Sequence, residues 1–445
     1  MQIKNFKLKN IHLENYKKYS DLSFDIKNDF ILIIGENGAG KTTVLDGIAT
    51  ILGGFLQSFK SISSVERHSI LKSDIKIEIV EEAENVYIKY PTIPIRVSGV
   101  CDINGSKIPI KRKRNNVNKT TMTSLLKTEN SELFSLVKEL ENSDDMVLPI
   151  VSYHGTGRLW EQEYKKSSKM EKLTRYDGYK DCLNAKSNYR NFISWFEKQE
   201  RNAFNLRKTI PILEAVRNSV IQMLELLTKK KIELFIYREN DLEIKFKDSD
   251  KRERVSNLST GYRDLIGIVS DIAYRMAILN PHLGVEVVSK TSGIVLIDEI
   301  DLHLHPKWQR EIISILKKLF PLVQFITTTH SPFVIQSISK DSLIKISDEV
   351  SMIQVDTSLL SIEDISEDIQ NIELPQVSKR KLEMLEVADK YLDCLEKLEN
   401  DNISKAEVEN IKQNLDKLIE PFEDNMAYVS FLRRKRLVVE NATDR

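Results

Sequence analysis

The run Phe30-Ile-Leu-Ile-Ile34, followed by Gly35-Glu36-Asn37-Gly38-Ala39-Gly40-Lys41-Thr42-Thr43, constrains this chain more than any other segment. Five consecutive apolar residues are the pattern of a strand buried on both faces. The segment behind it fits G-x-x-x-x-G-K-[ST], the Walker A loop, and a helical stretch around Thr42–Phe55 follows. Glycines there let backbone N–H groups converge on phosphates at a helix N-terminus. Lys41 is then placed to reach the β- and γ-phosphates and Thr42 to ligate Mg²⁺, so ATP with Mg²⁺ is the expected ligand. An accidental glycine-rich turn is the bland alternative. The strand before and the helix after count against it.

Three later segments gain meaning from that loop. Gly293-Ile-Val-Leu-Ile-Asp298-Glu299 is an apolar strand ending in two acids. Asp298 is expected to hold Mg²⁺ through water, and Glu299 to orient or deprotonate an attacking water. Ser259-Thr260-Gly261 opens a helix predicted over Thr260–Leu279 and stopped by Asn280-Pro281. Alone it is an N-cap beside a glycine; after a P-loop it suits a γ-phosphate presented by an opposite subunit. His330 ends the strand after the acidic pair and is placed to sense the γ-phosphate. Asp301 is expected to contact a dimer partner. The run His303-Leu-His305 invites a metal reading, but no third ligand stands nearby and it is rejected.

Composition narrows the class further. The 445 residues suggest two or three lobes, and 41% hydrophobic content is ample for packed cores. With 66 basic and 66 acidic residues the net charge is +0, so any nucleic-acid surface must be a local patch. Three scattered cysteines (Cys101, Cys182, Cys394) support neither a zinc cluster nor a disulfide framework. No apolar run reaches a membrane span, and a cytoplasmic protein is expected.

Alternation in residues 1–30 predicts half-buried antiparallel strands, and residues 70–114 read as short strands. Helix is expected at 130–142 and strand at Met146–Tyr153. The stretch from Trp160 to Lys231 reads as a mostly helical insertion. Strands are expected at Lys231–Tyr237, Leu242–Phe246, Ile294–Ile297 and Val323–Thr327, with a helix near Trp308–Leu319. Ser361–Glu373 reads as an acidic loop, and amphipathic helices at 377–399, 404–420 and 425–437 close the chain. Ser404 and Glu407 form a capping-box signature ahead of Val408, Ile411, Leu415 and Leu418.

These motifs, in this order, resemble the ABC/SMC/RecF class of ATPases. The resemblance implies an α/β fold: an ABC-type head with an N-terminal antiparallel β lobe, a parallel-sheet core, a helical insertion and C-terminal helices. It divides the chain into 1–159 (β lobe and P-loop), 160–230 (insertion), 231–355 (signature, acidic strand and switch His330) and a C-terminal assembly region, 356–445. Two heads would sandwich two ATPs between the P-loop of one and the signature of the other. Finer features resemble the PtuA-type ATPases of the Septu anti-phage system, which work with an HNH nuclease subunit, PtuB. They are Ser152-Tyr153-His154-Gly155 through Arg158, Arg175 through Leu183, Leu279 through Gly284, Ile297 through Gln309, and Asp424 through Arg436.

The sequence departs from that class in two places. Leu258-Ser-Thr-Gly-Tyr262 stands where transporter ATPases have LSGGQ, and Tyr153-His154-Gly155 stands where a glutamine loop is usual. Both departures suit slow or regulatory hydrolysis. Lys111-Arg-Lys-Arg114 with Lys119, the Lys165/Lys166/Lys169/Lys172 cluster, Lys229–Lys231 and Arg433–Arg436 are local basic runs that could meet DNA, although such runs are commonly only solvated faces. The 115 residues after His330 carry no TOPRIM constellation, so no nuclease site is expected in this chain. Two other readings keep the fold: a RecF-like repair ATPase acting directly on DNA, and a PARIS-type defence ATPase with a TOPRIM effector.

Overall fold

A computed structural model describes residues 3–62, 68–83, 86–118, 130–142, 145–157, 174–185, 189–347, 350–353, 355–372, 375–398, 410, 413–414, 416–417 and 420–443. Backbone contacts separate two units, residues 1–365 and 366–445.

The larger unit is built on two sheets. In the first, β1 (Phe6–Tyr16), β2 (Tyr19–Asp25), β6 (Ile95–Ile103) and β7 (Ser106–Arg114) pair antiparallel in the order β2-β1-β6-β7. Burial alternates along β6 and β7, as a sheet packed on one face requires. A small hairpin, β4 (Ile77–Ala83) with β5 (Val86–Pro91), precedes β6. The second sheet is the core, β3 (Phe30–Ile34), β8 (Ile150–His154), β12 (Gly293–Ile297), β13 (Val323–Thr328), β14 (Leu343–Ile346) and β15 (Val350–Ile353). Its order is β15-β14-β3-β13-β12-β8, parallel except for β15. Every residue of β3, β8, β12 and β13 is buried, as strands covered on both faces must be. The expected α/β architecture, with its antiparallel lobe and parallel core, is thus present.

Helix α1 (Lys41–Gln57) lies between the two sheets. Phe55 packs on Phe6 of the lobe at 4.8 Å between ring centroids, and Gly47 lets Leu13 approach so closely that a Cβ there would meet its methyl at 2.7 Å. Gln324 of β13 joins the sheets by hydrogen bonds: its side chain accepts from Leu8 N at 2.7 Å and donates to the carbonyls of Leu8 and Asn28 at 3.1 Å each. The remaining helices are α2 (Ser131–Glu141), α3 (Tyr189–Leu206), α4 (Pro211–Thr228), α5 (Thr260–Leu279), α6 (Val287–Lys290), α7 (Pro306–Gln309), α8 (Ile312–Leu319) and α9 (Pro332–Ile335). A three-stranded sheet, β9 (Ile232–Arg238), β10 (Asp241–Phe246) and β11 (Arg252–Arg254), leads into α5. Helix α5 has the predicted bounds and is buried from Asp264 to Leu279.

Two expectations are corrected. The helix near Trp308–Leu319 is split into α7 and α8, the first started by Pro306 and capped by His305 accepting from Lys307 N. Ser361–Ile369 is not a loop but wound: Ser361 and Asp364 form a capping box, and the turns bury Ile365 and Ile369. In the smaller unit, helices Lys379–Leu398 and Met426–Thr443 pack together, with Tyr428 donating to Met384 O. The capping box at Ser404 and Glu407, with Val408, Ile411, Leu415 and Leu418, lies outside the described residues, as do Lys119, Arg158, Trp160 and the lysine cluster at 165–172.

Candidate nucleotide-binding site

Because the core strands run parallel, the loops after β3, β12 and β13 emerge at one end, where open α/β sheets bind ligands. The loop after β3 is the P-loop. Gly38 and Gly40 adopt φ of +81° and +97°, conformations that favour glycine. A Cβ at Gly40 would sit 2.4 Å from the Tyr19 hydroxyl, and one at Gly35 would sit 2.3 Å from Ile346 O. The turn between β1 and β2 braces the loop: Lys18 Nζ donates to Gly38 O at 3.0 Å and Tyr19 OH to Ala39 O at 2.8 Å. No side chain caps α1, so its N-terminal N–H groups are open to an anion.

Lys41, only 8% exposed, folds back to donate to the carbonyls of Gly35 (2.9 Å) and Glu36 (3.0 Å). Burial lowers its pKa below the ordinary lysine value, against the pull of Asp298, Glu299 and Asp301. Those two carbonyls hold the ammonium against the loop. Thr42 Oγ1 donates to Asp298 Oδ2 at 2.8 Å, and Thr328 Oγ1 donates to Asp298 Oδ1 at 2.5 Å. A hydroxyl and a buried carboxylate in contact at a helix N-terminus are a hard-oxygen donor set, which fits Mg²⁺ beside phosphates. Thr42 and Asp298 would hold that ion, with Thr43 next in the helix.

Glu299, half-buried, follows Asp298 in a left-handed conformation (φ +48°), its N–H donating to Thr328 Oγ1 at 2.7 Å. Asp301 accepts from Thr329 Oγ1, and Ser331 N donates to the same threonine hydroxyl at 3.0 Å. His330 lies between Thr329 and Ser331, exposed at the end of β13. Residues 35–43, Asp298, Glu299, Asp301 and His330 are therefore gathered at one end of the core.

The signature segment makes its contacts elsewhere. Ser259 is exposed at the start of α5, and Arg263 lies 3.4 Å from Thr260 Oγ1. Gly261 lies against the loop after Asp301, where a Cβ would meet His303 O at 2.5 Å. Tyr262 meets Trp308 edge-on at 4.5 Å.

Asp46, Asp264, Asp271 and Arg275 escaped the sequence reading, whereas Ser152, His154 and Arg175–Leu183 entered it only through the resemblance, and Asn280 through the resemblance and as a helix stop. Asp46, in the second turn of α1, accepts from Lys17 Nζ at 2.5 Å and from Tyr153 OH at 3.1 Å. His154 backs the strand that ends in Asp298: its carbonyl accepts from Asp298 N at 2.8 Å, while its ring lies 3.1 Å from Ser152 Oγ. Ser152 Oγ donates to Asp271 at 3.2 Å, and Arg275 Nε donates to the same carboxylate at 2.7 Å. Asp264, Asp271 and Arg275 stand seven and then four residues apart on a buried helix. That spacing puts all three on one face and was the available signal. Arg275 also donates to the carbonyls of Gly178 (3.0 Å) and Lys180 (2.8 Å). The segment Arg175–Leu183 thus packs structurally against α5 and β8. Asn280 is likewise a buried peg, bonded to both backbone groups of Leu148.

Among the described residues, part of each basic run is engaged within the chain. Arg112 is 1% exposed and donates to Thr50 O (2.8 Å) and His68 O (2.7 Å); burial pushes its pKa down to about 10. Arg114, also buried, donates to Ile70 O at 2.7 Å. They share the inward face of β7 with Ile108 and Ile110, which leaves only Lys111 and Lys113 outward. Lys229 and Lys231 pair with Glu311 and Glu225, and Arg433 and Arg436 with Glu423 and Asp416. Among the described residues no His/Cys/Asp/Glu cluster could hold a metal alone, and no helix is long and apolar enough to cross a membrane.

Comparison with known proteins finds matching families, relatives and folds. Residues 10–225 match the family described as AAA domain, and residues 177–336 match AAA domain, putative AbiEii toxin, Type IV TA system. The retron Vc95 probable ATPase of Vibrio cholerae serotype O1 biovar El Tor is 28% identical over 76% of this chain and 73% of its own. The Septu protein PtuA of Bacillus mycoides is 26% identical over 74% of this chain and 39% of its own. The SMC head domain from Thermotoga maritima aligns over 79% of this chain and 99% of its own, with 16% identity and a TM-score of 0.41. With AAA-domain matches spanning residues 10–336 and a P-loop facing an acidic strand end, the chain belongs to the AAA-type ATPases.

Proposed function

We propose that this chain is the ATP-hydrolysing subunit of an anti-phage defence complex, in which two heads close around ATP and Mg²⁺. Further oligomerisation would scaffold and regulate a partner HNH nuclease of the PtuB kind. The observation that carries the reading is the division of the site. Residues 35–43, Asp298, Glu299 and His330 gather at one end of the core, whereas Gly261 packs on the loop after Asp301 and Ser259 is exposed at the start of α5. A second copy supplies the missing half. The similarity to PtuA supports the defence setting.

Within this reading Lys41 exchanges its two loop carbonyls for phosphate oxygens, and the open N-terminus of α1 receives the remaining negative charge. Mg²⁺, when bound, neutralises charge on the β- and γ-phosphates. The Glu299 carboxylate orients the attacking water and takes its proton, and His330 hydrogen-bonds the γ-phosphate. Ser259 and Gly261 of the facing head touch that phosphate, so closure is lost when it leaves.

Glu299→Gln tests the proposal. It should slow hydrolysis by about 10²–10⁴-fold while ATP binding persists, and ATP with Mg²⁺ should raise the protein's mass by light scattering where ADP does not. Unchanged hydrolysis, or one mass in both nucleotides, contradicts it. Co-expression with an HNH subunit should yield a complex that survives purification; separate elution argues against the partner assignment.

A further inference from the structure

Helix α5 carries a carboxylate where an apolar residue would be expected. Asp264 lies one turn behind the signature, its side chain 1% exposed, and bonds to His303 Nδ1 at 2.9 Å. Its other oxygen, Oδ1, is buried and has no hydrogen-bond partner among the described residues. Burying a carboxylate so thinly satisfied is costly, and a change to a neutral side chain would relieve the cost. His303, in turn, holds a left-handed backbone conformation, φ +60°, uncommon for a residue other than glycine or asparagine. Its carbonyl is the atom that forbids a Cβ at Gly261.

From these contacts we infer that Asp264 and His303 are a positioning pair, locking the signature to the loop behind the catalytic acids so that both meet the facing nucleotide as one rigid block. The loop is tied at its other end to the switch strand. Gln309 Nε2 donates to the carbonyls of Asp301 (3.3 Å) and Leu304 (2.9 Å), and Ser331 Oγ donates to Gln309 Oε1 at 2.8 Å. Thr329 donates to Asp301, and Trp308 covers Tyr262. The block therefore runs from Ser259 through His303 to the residue after His330. When His330 senses the γ-phosphate of its own head, the same block presents Ser259 to the other. Neither Asp264 nor His303 touches the nucleotide in this scheme; both act through Gly261 and Ser259. This inference rests on the paired-head reading above.

The test uses the full chain and three measurements: affinity for a fluorescent ATP analogue, kcat for ATP, and the dependence of turnover on protein concentration. His303→Gly deletes the ring yet accommodates the left-handed backbone. His303→Asn keeps a donor near the Nδ1 position and also tolerates that backbone. The expected result for His303→Gly is analogue affinity within about twofold of the parent and kcat down by about tenfold to a hundredfold, with half-maximal turnover moved to higher protein concentration. His303→Asn should recover most of the loss, and Asp264→Asn combined with His303→Gly should be no worse than His303→Gly alone. Parental kcat in His303→Gly overturns the pair, as does failure of His303→Asn to recover it. An equal fall in affinity and kcat also overturns it, since that is general structural damage. Ser259→Arg separates the two levels. If it leaves turnover intact, the paired-head reading falls and takes this pair with it; if it abolishes turnover while His303→Gly does not, only the pair falls.

Discussion

The Thr42 hydroxyl donates a 2.8 Å hydrogen bond to the carboxylate of Asp298, 256 residues further along the chain. That contact closes the gap between the P-loop helix and the acidic strand, and Thr328 fixes the other carboxylate oxygen. Asp298→Asn should therefore raise the Mg²⁺ concentration for half-maximal ATP hydrolysis by about 10–100-fold. Binding of nucleotide in excess EDTA should change little. A Mg²⁺ titration of turnover decides it, and an unmoved midpoint would remove Asp298 from the metal site.

Gly38 and Gly40 share a left-handed backbone but not a neighbourhood. A Cβ at Gly38 meets nothing within 4 Å, whereas at Gly40 it meets Tyr19 OH at 2.4 Å. Gly38→Ala should cost only the backbone strain of about 1–2 kcal/mol, and Gly40→Ala should weaken ATP binding considerably more. Titration with a fluorescent ATP analogue checks the order. Equal losses would show that Tyr19 yields freely.

Asp271 and Arg275 are a buried pair, 4% and 3% exposed, inside the buried stretch of α5 from Asp264 to Leu279. Arg275→Met leaves a buried carboxylate uncompensated, at a cost of about 3–5 kcal/mol, seen as a lower denaturant midpoint. Asp271→Leu together with Arg275→Met should restore much of the midpoint. If the double variant is as unstable as the single one, the carbonyl contacts of Arg275 outweigh its ion pair.

Arg112 belongs to a basic run, yet its guanidinium is inside the β lobe. Arg112→Ala should lower the thermal midpoint, while Lys111→Ala should not. Duplex DNA affinity, if measurable, should respond to neither beyond about threefold, because one exposed lysine alters a salt-dependent affinity only slightly. A large DNA effect with intact stability would return this strand to a nucleic-acid surface.

The motifs and the bounds of α5 were readable because each is local: glycines where the backbone needs them, apolar runs where strands are covered on both faces, Asn280-Pro281 as a stop. Period-two burial in β7 was equally present, but charge concealed it. Arg112 and Arg114 fall in step with Ile108 and Ile110, and only the carbonyls of Thr50, His68 and Ile70 explain why arginines can be there. Those partners lie 44 or more residues away, beyond the reach of any local pattern. Asp264 with His303, 39 residues apart, and Asp46 with Tyr153, 107 apart, are out of reach in the same way. Pairing across folded elements is a property of the tertiary arrangement, so a seven-residue spacing on α5 marked a polar face without naming what it meets. The acidic stretch 361–369 was misread as a loop because its carboxylates hid a capping box and two apolar residues at helical spacing.

Mixing two separately crippled chains tests the central claim most directly. Glu299→Gln keeps its signature and loses its catalytic acid; Ser259→Arg keeps the acid and loses its signature. If the signature acts on the nucleotide of the facing head, each variant alone is inactive and their mixture regains ATP turnover, since the intact acid of one chain meets the intact signature of the other. If the mixture stays as inactive as its components, the signature does not act across a pair of heads, and the account is contradicted.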